Sequence, residues 1–424
     1  MAWVLLGLGI VAAASTLNAF VPLHRTPLIL WSFFSGWLTN ELAIHQLLWQ
    51  SAAAAVLAWY GGMDTWPAMI GLGLIVASDI GLVWLTVIAV RTASVMHTAL
   101  RDGLGEHFED EIDPSLRRGE RWTGWRQLFF PLFLLDRRAT VSRGIDYGAP
   151  RGRHHRLDIH RPRDPVSGAP VLVWIHGGGW VTGAKGSQGI PLMTGLAARG
   201  WICVAPNYRL SPRATFPDHL IDVKEAIAWV KAHIADYGGD PDFVVVSGGS
   251  AGGHLASLVA LTDDPAYQPG FETADTSVVG CVSLYGVYDF TNRAGQYRSR
   301  ELPRLLAWFV MKQPLDDRSR AAYEAASPTS QVRASAPPFF VIASGKDSLV
   351  PVGDSALFVE ALRAAGARSV CYAVLPGAQH SFEIFHSLRT GAALAGIEEW
   401  LDWLRSRHRG HVTPSDDDAT DLTP

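Results

Sequence analysis

The first ninety residues of the chain are apolar almost throughout, and the remainder alternates short apolar stretches with polar ones. Only four of the 76 charged side chains fall in residues 1–90, namely Arg25, Glu41, Asp64 and Asp79. A helix that crosses a hydrocarbon core of ~30 Å needs about 20 apolar residues. The pattern therefore predicts an α-helical transmembrane segment over residues 1–92, followed by a water-exposed domain.

Three apolar runs in this segment are long enough to cross a bilayer. They are Ala2–Val21 with 20 residues, Leu42–Tyr60 with 19 and Pro67–Val90 with 24. Pro27–Leu38 is too short to cross, and we expect it to approach the membrane as an interfacial or re-entrant segment; four spans is the alternative. Because two further runs follow the first, and no Lys or Arg precedes it, we expect a retained helix rather than a cleaved signal peptide.

The few positive charges predict an orientation. Arg25 follows the first span, and Arg91 and Arg101 follow the third, whereas the loop Gly61–Trp66 contains no Lys or Arg. Cytoplasmic loops carry the excess of Lys and Arg in membrane proteins. We therefore expect the amino terminus outside the cell and the carboxy-terminal domain in the cytoplasm.

Three ionisable side chains, Glu41, His45 and Asp79, lie in or beside the predicted spans. Groups at this depth can form a proton relay or a ligand site. They can also hydrogen-bond to side chains of neighbouring helices, which is the interpretation that we favour.

A connector, residues 93–140, joins the membrane segment to the domain. Its acidic stretch Glu106–Asp113 is expected to be a solvated face. The stretch Trp122–Leu135 is densely aromatic and apolar, and Arg126, Arg137 and Arg138 lie within or beside it. It either packs on the following domain or lies in the headgroup region of the membrane. At the other end of the chain, residues 407–424 are polar, and we expect a disordered tail.

From about residue 141 the pattern becomes one of strands and helices in alternation. Leu220, Val223, Ile227, Val230 and Ile234 recur at spacings of three and four, which predicts one face of a helix that begins at Pro217 and ends at Gly238-Gly239. Continuous apolar strands between amphipathic helices indicate a mainly parallel sheet with helices on both faces. The predicted strands are Ser142–Tyr147, His155–His160 (an edge strand, because it alternates), Val171–Ile175, Trp201–Ala205, Phe243–Ser247, Val278–Leu284, Phe339–Ala343 and Val370–Leu375.

Charge and cysteine content exclude two classes of function. The net charge is −4 and no clustered basic face is visible, so a nucleic-acid partner is not expected. Cys203, Cys281 and Cys371 are far apart, and each lies in an apolar run. We expect core thiols rather than disulfides or a thiolate metal site.

The first chemical motif is Gly248-Gly249-Ser250-Ala251-Gly252, which directly follows the strand Phe243–Ser247 and opens a helix. A G-x-S-x-G sequence in this context is typical of a sharp turn that exposes a serine hydroxyl beside a helix amino terminus. A glycine-rich turn with an incidental serine is the alternative.

The second motif, His176-Gly177-Gly178-Gly179-Trp180, follows the strand Val171–Ile175. Its glycines allow backbone amides to turn towards an oxyanion, and we expect His176 to brace the loop.

Two further loops place an acid and a histidine at the ends of strands. Asp347 follows the strand Phe339–Ala343, and His380 follows Val370–Leu375. Open α/β sheets build their sites at the carboxyl ends of parallel strands, so Ser250, Asp347 and His380 are expected to meet there. Asp289 is an alternative acid, but we favour Asp347 because Val350-Pro351 would hold its loop rigid.

With these motifs, residues 141–406 resemble the α/β-hydrolase superfamily, and within it the hormone-sensitive-lipase-like esterases. The matching sequences are HGGGW at 176–180, YRLSP at 208–212, the turn at 248–253, DSLVP at 347–351 and His380-Ser381-Phe382. One departure is Gly249, where that branch commonly has Asp. A small residue at this position is also found in feruloyl-esterase-like and kynurenine-formamidase-like hydrolases.

The resemblance implies an α/β-hydrolase fold and a serine esterase or lipase that acts through an acyl-enzyme. Ser250 would be the nucleophile, His380 the general base and Asp347 the residue that orients it. Amides of Gly178, Gly179 and Ala251 would form the oxyanion hole, and no metal or organic cofactor would be required. An insert at about residues 287–336 would cap the acyl pocket.

The implied substrate is an acyl ester, with lipids among the candidates. A formamidase-type amidase on the same three residues is an alternative function. A catalytically silent hydrolase fold that serves as a membrane scaffold is another.

Overall fold

The computed structural model describes residues 1–24, 28–61, 64–117, 122–134, 136–148, 152–297 and 300–412. Arg25, Pro27 and Leu135 lie outside these residues, as do residues 62–63 of the loop after Gly61 and residues 298–299 of the predicted insert.

The described residues form an eight-stranded sheet in the carboxy-terminal domain, with the order β1-β2-β4-β3-β5-β6-β7-β8. The strand β2 is antiparallel to both of its neighbours, β1 and β4. The other six strands, β3 to β8, are parallel to one another. The strands are β1 (Ala139–Asp146), β2 (Arg156–Pro162), β3 (Ala169–Ile175), β4 (Ile202–Pro206), β5 (Gly239–Gly249), β6 (Gly280–Leu284), β7 (Phe339–Ser344) and β8 (Val370–Leu375).

Helices cover both faces of the sheet and continue to the amino terminus. They are α1 (Ala2–Phe20), α2 (Ile29–Glu41), α3 (Ala43–Tyr60), α4 (Trp66–Val90), α5 (Thr92–Leu104), α6 (Trp125–Phe129), α7 (Ile190–Ala197), α8 (Asp218–His233), α9 (Ala251–Leu261), α10 (Glu301–Leu305), α11 (Arg320–Ala325), α12 (Val352–Ala364) and α13 (Leu388–Val412). A π-helical turn, Leu306–Val310, extends α10.

The alternation of side chains along the strands divides the core into two layers. In β3, Val171, Val173 and Ile175 pack into one apolar cluster, whereas Leu172 and Trp174 pack into the other. Successive side chains of a strand point to opposite faces, so a strand that is covered on both sides must be apolar throughout. The helix α8 packs into the first cluster through the face predicted from its sequence, and Cys203, Cys281 and Cys371 are free, buried thiols.

Two sequence predictions about this domain are wrong. The alternating strand at His155–His160 is not at the edge of the sheet, because β2 lies between β1 and β4 and β1 forms the edge. Disorder from Arg407 onward is also wrong for residues 407–412, which continue the helix α13. Arg407 forms an ion pair of 3.0 Å with Glu111 there, and residues 413–424 lie outside the described residues.

The helices α1 and α4 run parallel to each other along the amino-terminal segment. Trp3 contacts Trp66 near their amino termini with ring centroids 5.3 Å apart, and Thr16 hydrogen-bonds to Ser78 at 2.8 Å further along. Between these contacts a Cβ atom at Gly9 would collide with the Gly71 carbonyl oxygen. Small residues at such positions let helix backbones approach closely in membranes.

The chain returns between α1 and α4 through two helices that meet at a bend of 92° at Leu42. Ala43 lies in a cluster with Leu82 and Leu85, whereas Ala54 lies in a cluster with Ile75, so α3 runs antiparallel to α4. By length and composition, two helical stretches of the described chain can cross a membrane, or three if the bent pair α2–α3 counts as one.

The ionisable residues of this segment differ in what they contact. Asp79 of α4 accepts hydrogen bonds from Gln50 at 2.6 Å and from Ser51 at 2.9 Å, which is the bonding between helices that the sequence favoured. Glu41 pairs instead with Arg389 of the carboxy-terminal domain. His45 lines an apolar cavity of about 180 Å³ beside that ion pair.

Part of the connector packs on the carboxy-terminal domain, which is one of the two positions that the sequence left open. The helix α5 and Trp122 pack against the carboxy-terminal domain and contribute to its second apolar cluster. The following apolar side chains stay 62–75% exposed, and they are Trp125, Phe129, Phe130, Leu132 and Phe133. Leu128 and Phe129 also line the cavity that α3 and α4 border.

Candidate active site

Ser250 stands at a sharp turn between β5 and α9, and its backbone is strained. Its φ is +58° and its ψ is −123°, a conformation that residues with a side chain rarely adopt. The flanking glycines permit this turn, because a Cβ atom at Gly252 would collide with the Ile175 carbonyl oxygen. The hydroxyl therefore lies at the carboxyl end of the sheet, beside the amino terminus of α9.

The glycine loop after β3 lies directly against this serine. A Cβ atom at Gly177 would come within 2.7 Å of the Gly249 carbonyl oxygen and 3.1 Å of the Ser250 Cβ, so only glycine allows this approach. Gly178 and Gly179 have positive φ values of +113° and +59°, which turn their amides away from the ordinary strand direction. Among the described residues, the amides of Gly178, Gly179 and Ala251 have no hydrogen-bond acceptor.

His176 braces this loop. Its Nδ1 donates a hydrogen bond of 2.8 Å to the Gly177 carbonyl oxygen, and its ring stacks on Tyr208 with centroids 4.4 Å apart. Burial lowers the pKa of His176 to about 4, so the imidazole is neutral at physiological pH. The Tyr208 hydroxyl in turn donates to the His176 carbonyl oxygen at 2.9 Å.

His380 and Asp347 are joined by a hydrogen bond between the loops that follow β8 and β7. His380 Nδ1 donates to Asp347 Oδ2 at 2.7 Å, and both side chains are almost fully buried. Asp347 Oδ1 accepts the amides of Leu349 and Val350 at 2.8 Å each, which fixes the carboxylate. Among the residues that the structure describes, none hydrogen-bonds to the other ring nitrogen of His380, Nε2.

Gln379 holds these two loops together. Its Oε1 accepts the amide of Ser348 at 2.7 Å and that of His380 at 3.0 Å. One side chain thereby fixes the backbone beside both the acid and the histidine. Nothing in the sequence motifs pointed to this residue.

Asp289 is engaged elsewhere. One of its oxygens accepts the amide and the hydroxyl of Thr291 at 3.0 and 2.6 Å, and the other accepts the amide and Nε of Arg293 at 2.8 and 3.1 Å. This carboxylate closes a local turn, and its described partners do not include His380.

Tyr285 and Glu383 form a buried pair beside His380. No sequence motif pointed to this pair. The Tyr285 ring lies 4.6 Å from the His380 ring, and its hydroxyl donates to Glu383 Oε2. Burial raises the pKa of both groups. A Cβ atom at Gly249 would collide with the Tyr285 hydroxyl, so the tyrosine fills the space next to the residue that precedes Ser250. This contact explains the glycine that departs from the resembling esterases.

His254, one turn into α9, is a structural imidazole. Its Nε2 donates to the Ala326 carbonyl oxygen at 2.7 Å, which leaves Nδ1 to accept the Trp180 Nε1 hydrogen at 3.2 Å. Burial lowers the pKa of His254 to about 3. The residue links α9 to the glycine loop and to the insert between β6 and β7.

His155, Asp222 and Glu225 form a further cluster of possible ligand atoms. The guanidinium of Arg209 already binds both oxygens of Asp222 at 2.7–3.0 Å. Because this cation occupies the carboxylate, the cluster is explained as an ion-pair network.

The structure thus brings the strained serine, the glycine loop and the His380–Asp347 pair to one edge of a mainly parallel sheet. Tyr285 contacts both the Ser250 turn and the His380 ring, which places the two on the same side of the sheet. This fold and site define the protein as an α/β-hydrolase.

Comparison with known proteins identifies the family. The BD-FAE family model matches residues 157–362. The chain is 44% identical over 398 residues to LipM of Mycobacterium tuberculosis, named a probable carboxylic ester hydrolase, with 92% of this chain and 91% of LipM covered. The esterase LipQ of the same organism is 43% identical over 328 residues, with 76% and 77% covered.

Solved structures agree with this result. The native thermophilic esterase Est2 of Thermogutta terrifontis superposes with a TM-score of 0.51 at 25% identity, covering 68% of this chain and 97% of Est2. The chain belongs to the family of carboxylic ester hydrolases that contains LipM and LipQ, and it is an enzyme of that class.

Proposed function

We propose that the protein is a membrane-anchored serine carboxylesterase or lipase that hydrolyses acyl esters through Ser250, His380 and Asp347. The observation that carries the proposal is the 2.7 Å hydrogen bond from His380 Nδ1 to Asp347, on the same side of the sheet as a serine held in a strained turn. The bond fixes the imidazole tautomer, so Nε2 can accept the proton of the Ser250 hydroxyl.

The reaction follows from these positions. As His380 removes its proton, Ser250 Oγ attacks the ester carbonyl, and a tetrahedral intermediate forms. Asp347 stabilises the imidazolium that results. His380 then protonates the leaving alcohol, which leaves an acyl-enzyme on Ser250. Water, deprotonated by His380, attacks the acyl-enzyme and releases the acid.

The oxyanion of each intermediate is stabilised by amides of Gly178, Gly179 and Ala251. These N–H groups have no acceptor among the described residues, and they lie on the two loops that meet at Ser250. Donors that are fixed before the reaction need no reorganisation as charge develops, which is why such groups can lower the barrier by several kcal/mol, roughly 3–4 for one donor.

Three crossings are the membrane arrangement that the helices support. Because α1 and α4 run parallel, a chain that crosses the bilayer in α1 must return before it can cross again in α4. The antiparallel helix α3 supplies this return, and α2 then lies at the membrane surface on the side of the catalytic domain. The exposed aromatic side chains of the connector, from Trp125 to Phe133, suit the headgroup region on that same side.

The catalytic domain then faces the cytoplasm. Arg91 and Arg101 lie at the end of α4 and in α5, on the domain side of the bilayer, which the positive-inside rule assigns to the cytoplasm. Protease added to intact cells should spare a tag at the carboxy terminus and digest it only after lysis. Digestion before lysis would refute the orientation.

A fluorophosphonate probe tests the catalytic proposal. Wild-type protein should be labelled, and the Ser250→Ala variant should not, while both show the same thermal unfolding. Absence of labelling on folded wild-type protein would refute the serine-hydrolase mechanism and favour a non-catalytic scaffold.

The comparison of two substrate types decides between ester and amide chemistry. Gly249 is the feature shared with formamidase-type hydrolases, so the alternative deserves a direct assay. We expect p-nitrophenyl acyl esters to be turned over faster than N-formyl aromatic amides. The reverse order would identify a formamidase-type amidase.

A further inference from the structure

The helix α2 of the amino-terminal segment lies over the catalytic histidine. The centroids of the Phe33 and His380 rings are 6.3 Å apart, and the rings meet edge to face. One turn later, a Cβ atom at Gly36 would come within 3.2 Å of Gln379 Nε2, so the backbone of α2 rests on the residue next to His380. That amide nitrogen is buried and has no hydrogen-bond partner among the described residues.

Contacts on two sides hold α2 in this position. Towards the carboxy terminus of α2, Trp37 stacks on Phe33 at 6.0 Å and contacts Phe385 at 5.0 Å. On the opposite side, Ser32 donates a hydrogen bond of 2.7 Å to Asn18 of α1, and Asn18 donates one of 2.8 Å to the Ser32 carbonyl oxygen. The helix α2 is therefore held between a predicted membrane span and the active site.

The outer surface of α2 is apolar and exposed. Leu30, Trp31 and Phe34 are 62%, 45% and 52% exposed. Across the site, Leu305 of the insert lies 3.3 Å from where a Cβ atom of Gly179 would be, and the neighbouring Trp308 is 68% exposed. The candidate oxyanion loop is thus bordered by the insert, and the histidine is bordered by α2, and both borders expose large apolar side chains.

We propose that α2 forms a wall of the substrate site and that the substrate is an ester whose hydrocarbon chain lies in the bilayer while its carbonyl group reaches Ser250. Phe33 and Trp37 are then specificity-determining residues that contact the hydrocarbon chain next to His380. The proposal rests on the esterase function proposed above and adds the substrate class, a membrane-resident acyl lipid. We infer a membrane lipid rather than a soluble ester because α2 is continuous with the membrane helices.

A matched pair of variants on the same helix tests this role. Phe33→Ala removes the side chain that faces His380, whereas Phe34→Ala removes an exposed phenylalanine from the outer surface. The full chain is reconstituted in phosphatidylcholine nanodiscs, and kcat/KM is measured for p-nitrophenyl butyrate in solution and for a long-chain diacylglycerol in the same bilayer. Labelling of Ser250 by a small fluorophosphonate reports that each variant is folded.

We expect Phe33→Ala to lower the ratio of diacylglycerol to butyrate kcat/KM by about tenfold, and Phe34→Ala to change it by less than about twofold. Equal ratios in the two variants, or an equal loss of both activities in Phe33→Ala at full labelling, would overturn the assignment of α2 to the substrate site. Wild-type protein that hydrolyses butyrate but not diacylglycerol would overturn the substrate class. Wild-type protein that neither labels nor hydrolyses butyrate would refute the esterase mechanism itself.

Discussion

Arg389 and Glu41 form an ion pair that is wholly buried between the catalytic domain and the amino-terminal helices. The Arg389 Nη1 contacts Glu41 Oε1, and neither side chain is exposed to solvent. Ser387 donates a further hydrogen bond of 2.6 Å to Glu41 Oε2, and Arg389 Nε donates to the Pro376 carbonyl oxygen at 3.2 Å. Because each buried charge needs the other, the pair fixes the bend between α2 and α3 against the loop that follows His380.

Removal of one partner should destabilise the protein far more than removal of both. Glu41→Ala leaves the Arg389 guanidinium buried without its counter-charge, which costs about 3–5 kcal/mol. The double variant Glu41→Met/Arg389→Met should recover most of this loss, since a buried apolar pair has no charge to desolvate. Thermal unfolding in detergent measures both variants. Equal destabilisation by the single and double variants would contradict the role of the pair.

Asp347 should be the acid that orients His380. Asp347→Asn cannot hold the imidazole in the required tautomer and should lower turnover by about 10²- to 10⁴-fold while the protein stays folded. Asp289→Asn removes hydrogen bonds of a local turn and should cost about 1–3 kcal/mol of stability. Its turnover should fall by less than about tenfold. Steady-state kinetics of both variants on one ester decide the matter, and the opposite ranking would transfer the role to Asp289.

A methyl group at residue 249 should disturb the active site through Tyr285. In Gly249→Ala the new Cβ atom collides with the Tyr285 hydroxyl, so the tyrosine must move away from Glu383 and from the His380 ring. Overpacking of this kind costs about 1–3 kcal/mol. We expect lower thermal stability and lower turnover together.

The control for that substitution is Gly144→Ala, because a Cβ atom there meets open space and the residue lies on the distant strand β1. Its φ of +73° means that Gly144→Ala strains the backbone, a cost that Gly249→Ala does not carry because Gly249 has no positive φ. The control therefore tests whether destabilisation far from the site lowers turnover. Turnover of Gly144→Ala should stay at the wild-type level. A Gly249→Ala variant with unchanged turnover would show that Tyr285 does not need its present position.

The stability that His254 contributes should depend on pH. Burial lowers the pKa of this imidazole to about 3, whereas in the unfolded chain it is about 6.5. Below about pH 6.5 the unfolded state therefore binds more protons than the native state. The stability that the native imidazole contributes is complete above that pH and declines as pH falls from about 6.5 to about 3. His254→Gln should lower stability most at pH 8, and the difference from wild type should shrink by about 2 kcal/mol at pH 5.

Thermal unfolding at the two pH values measures this difference. His107→Gln is the matched control, since His107 lies exposed in the connector and its side chain is 89% accessible. The control should show the same small difference from wild type at both pH values. A His254→Gln difference that grows towards acid pH would contradict the burial of a neutral imidazole.

The sequence alone determined the fold class, the apolar segment at the amino terminus and the residues at the ends of the parallel strands. These features are local: a continuous apolar run of five residues specifies a strand covered on both faces, and glycine around Ser250 specifies a turn that other residues cannot form. Asp347 and His380 could be singled out because parallel neighbouring strands end at one edge of the sheet.

Only the tertiary structure decided which distant side chains meet. Glu41 and Arg389 are 348 residues apart, and no spacing in the sequence marks them as partners. Tyr285 and Glu383 are 98 residues apart and lie outside the motifs that the sequence singled out, yet the position of Tyr285 explains Gly249. The position of α2 over His380 depends on how the membrane helices dock on the domain, and docking is set by the packing of surfaces that local periodicity does not describe.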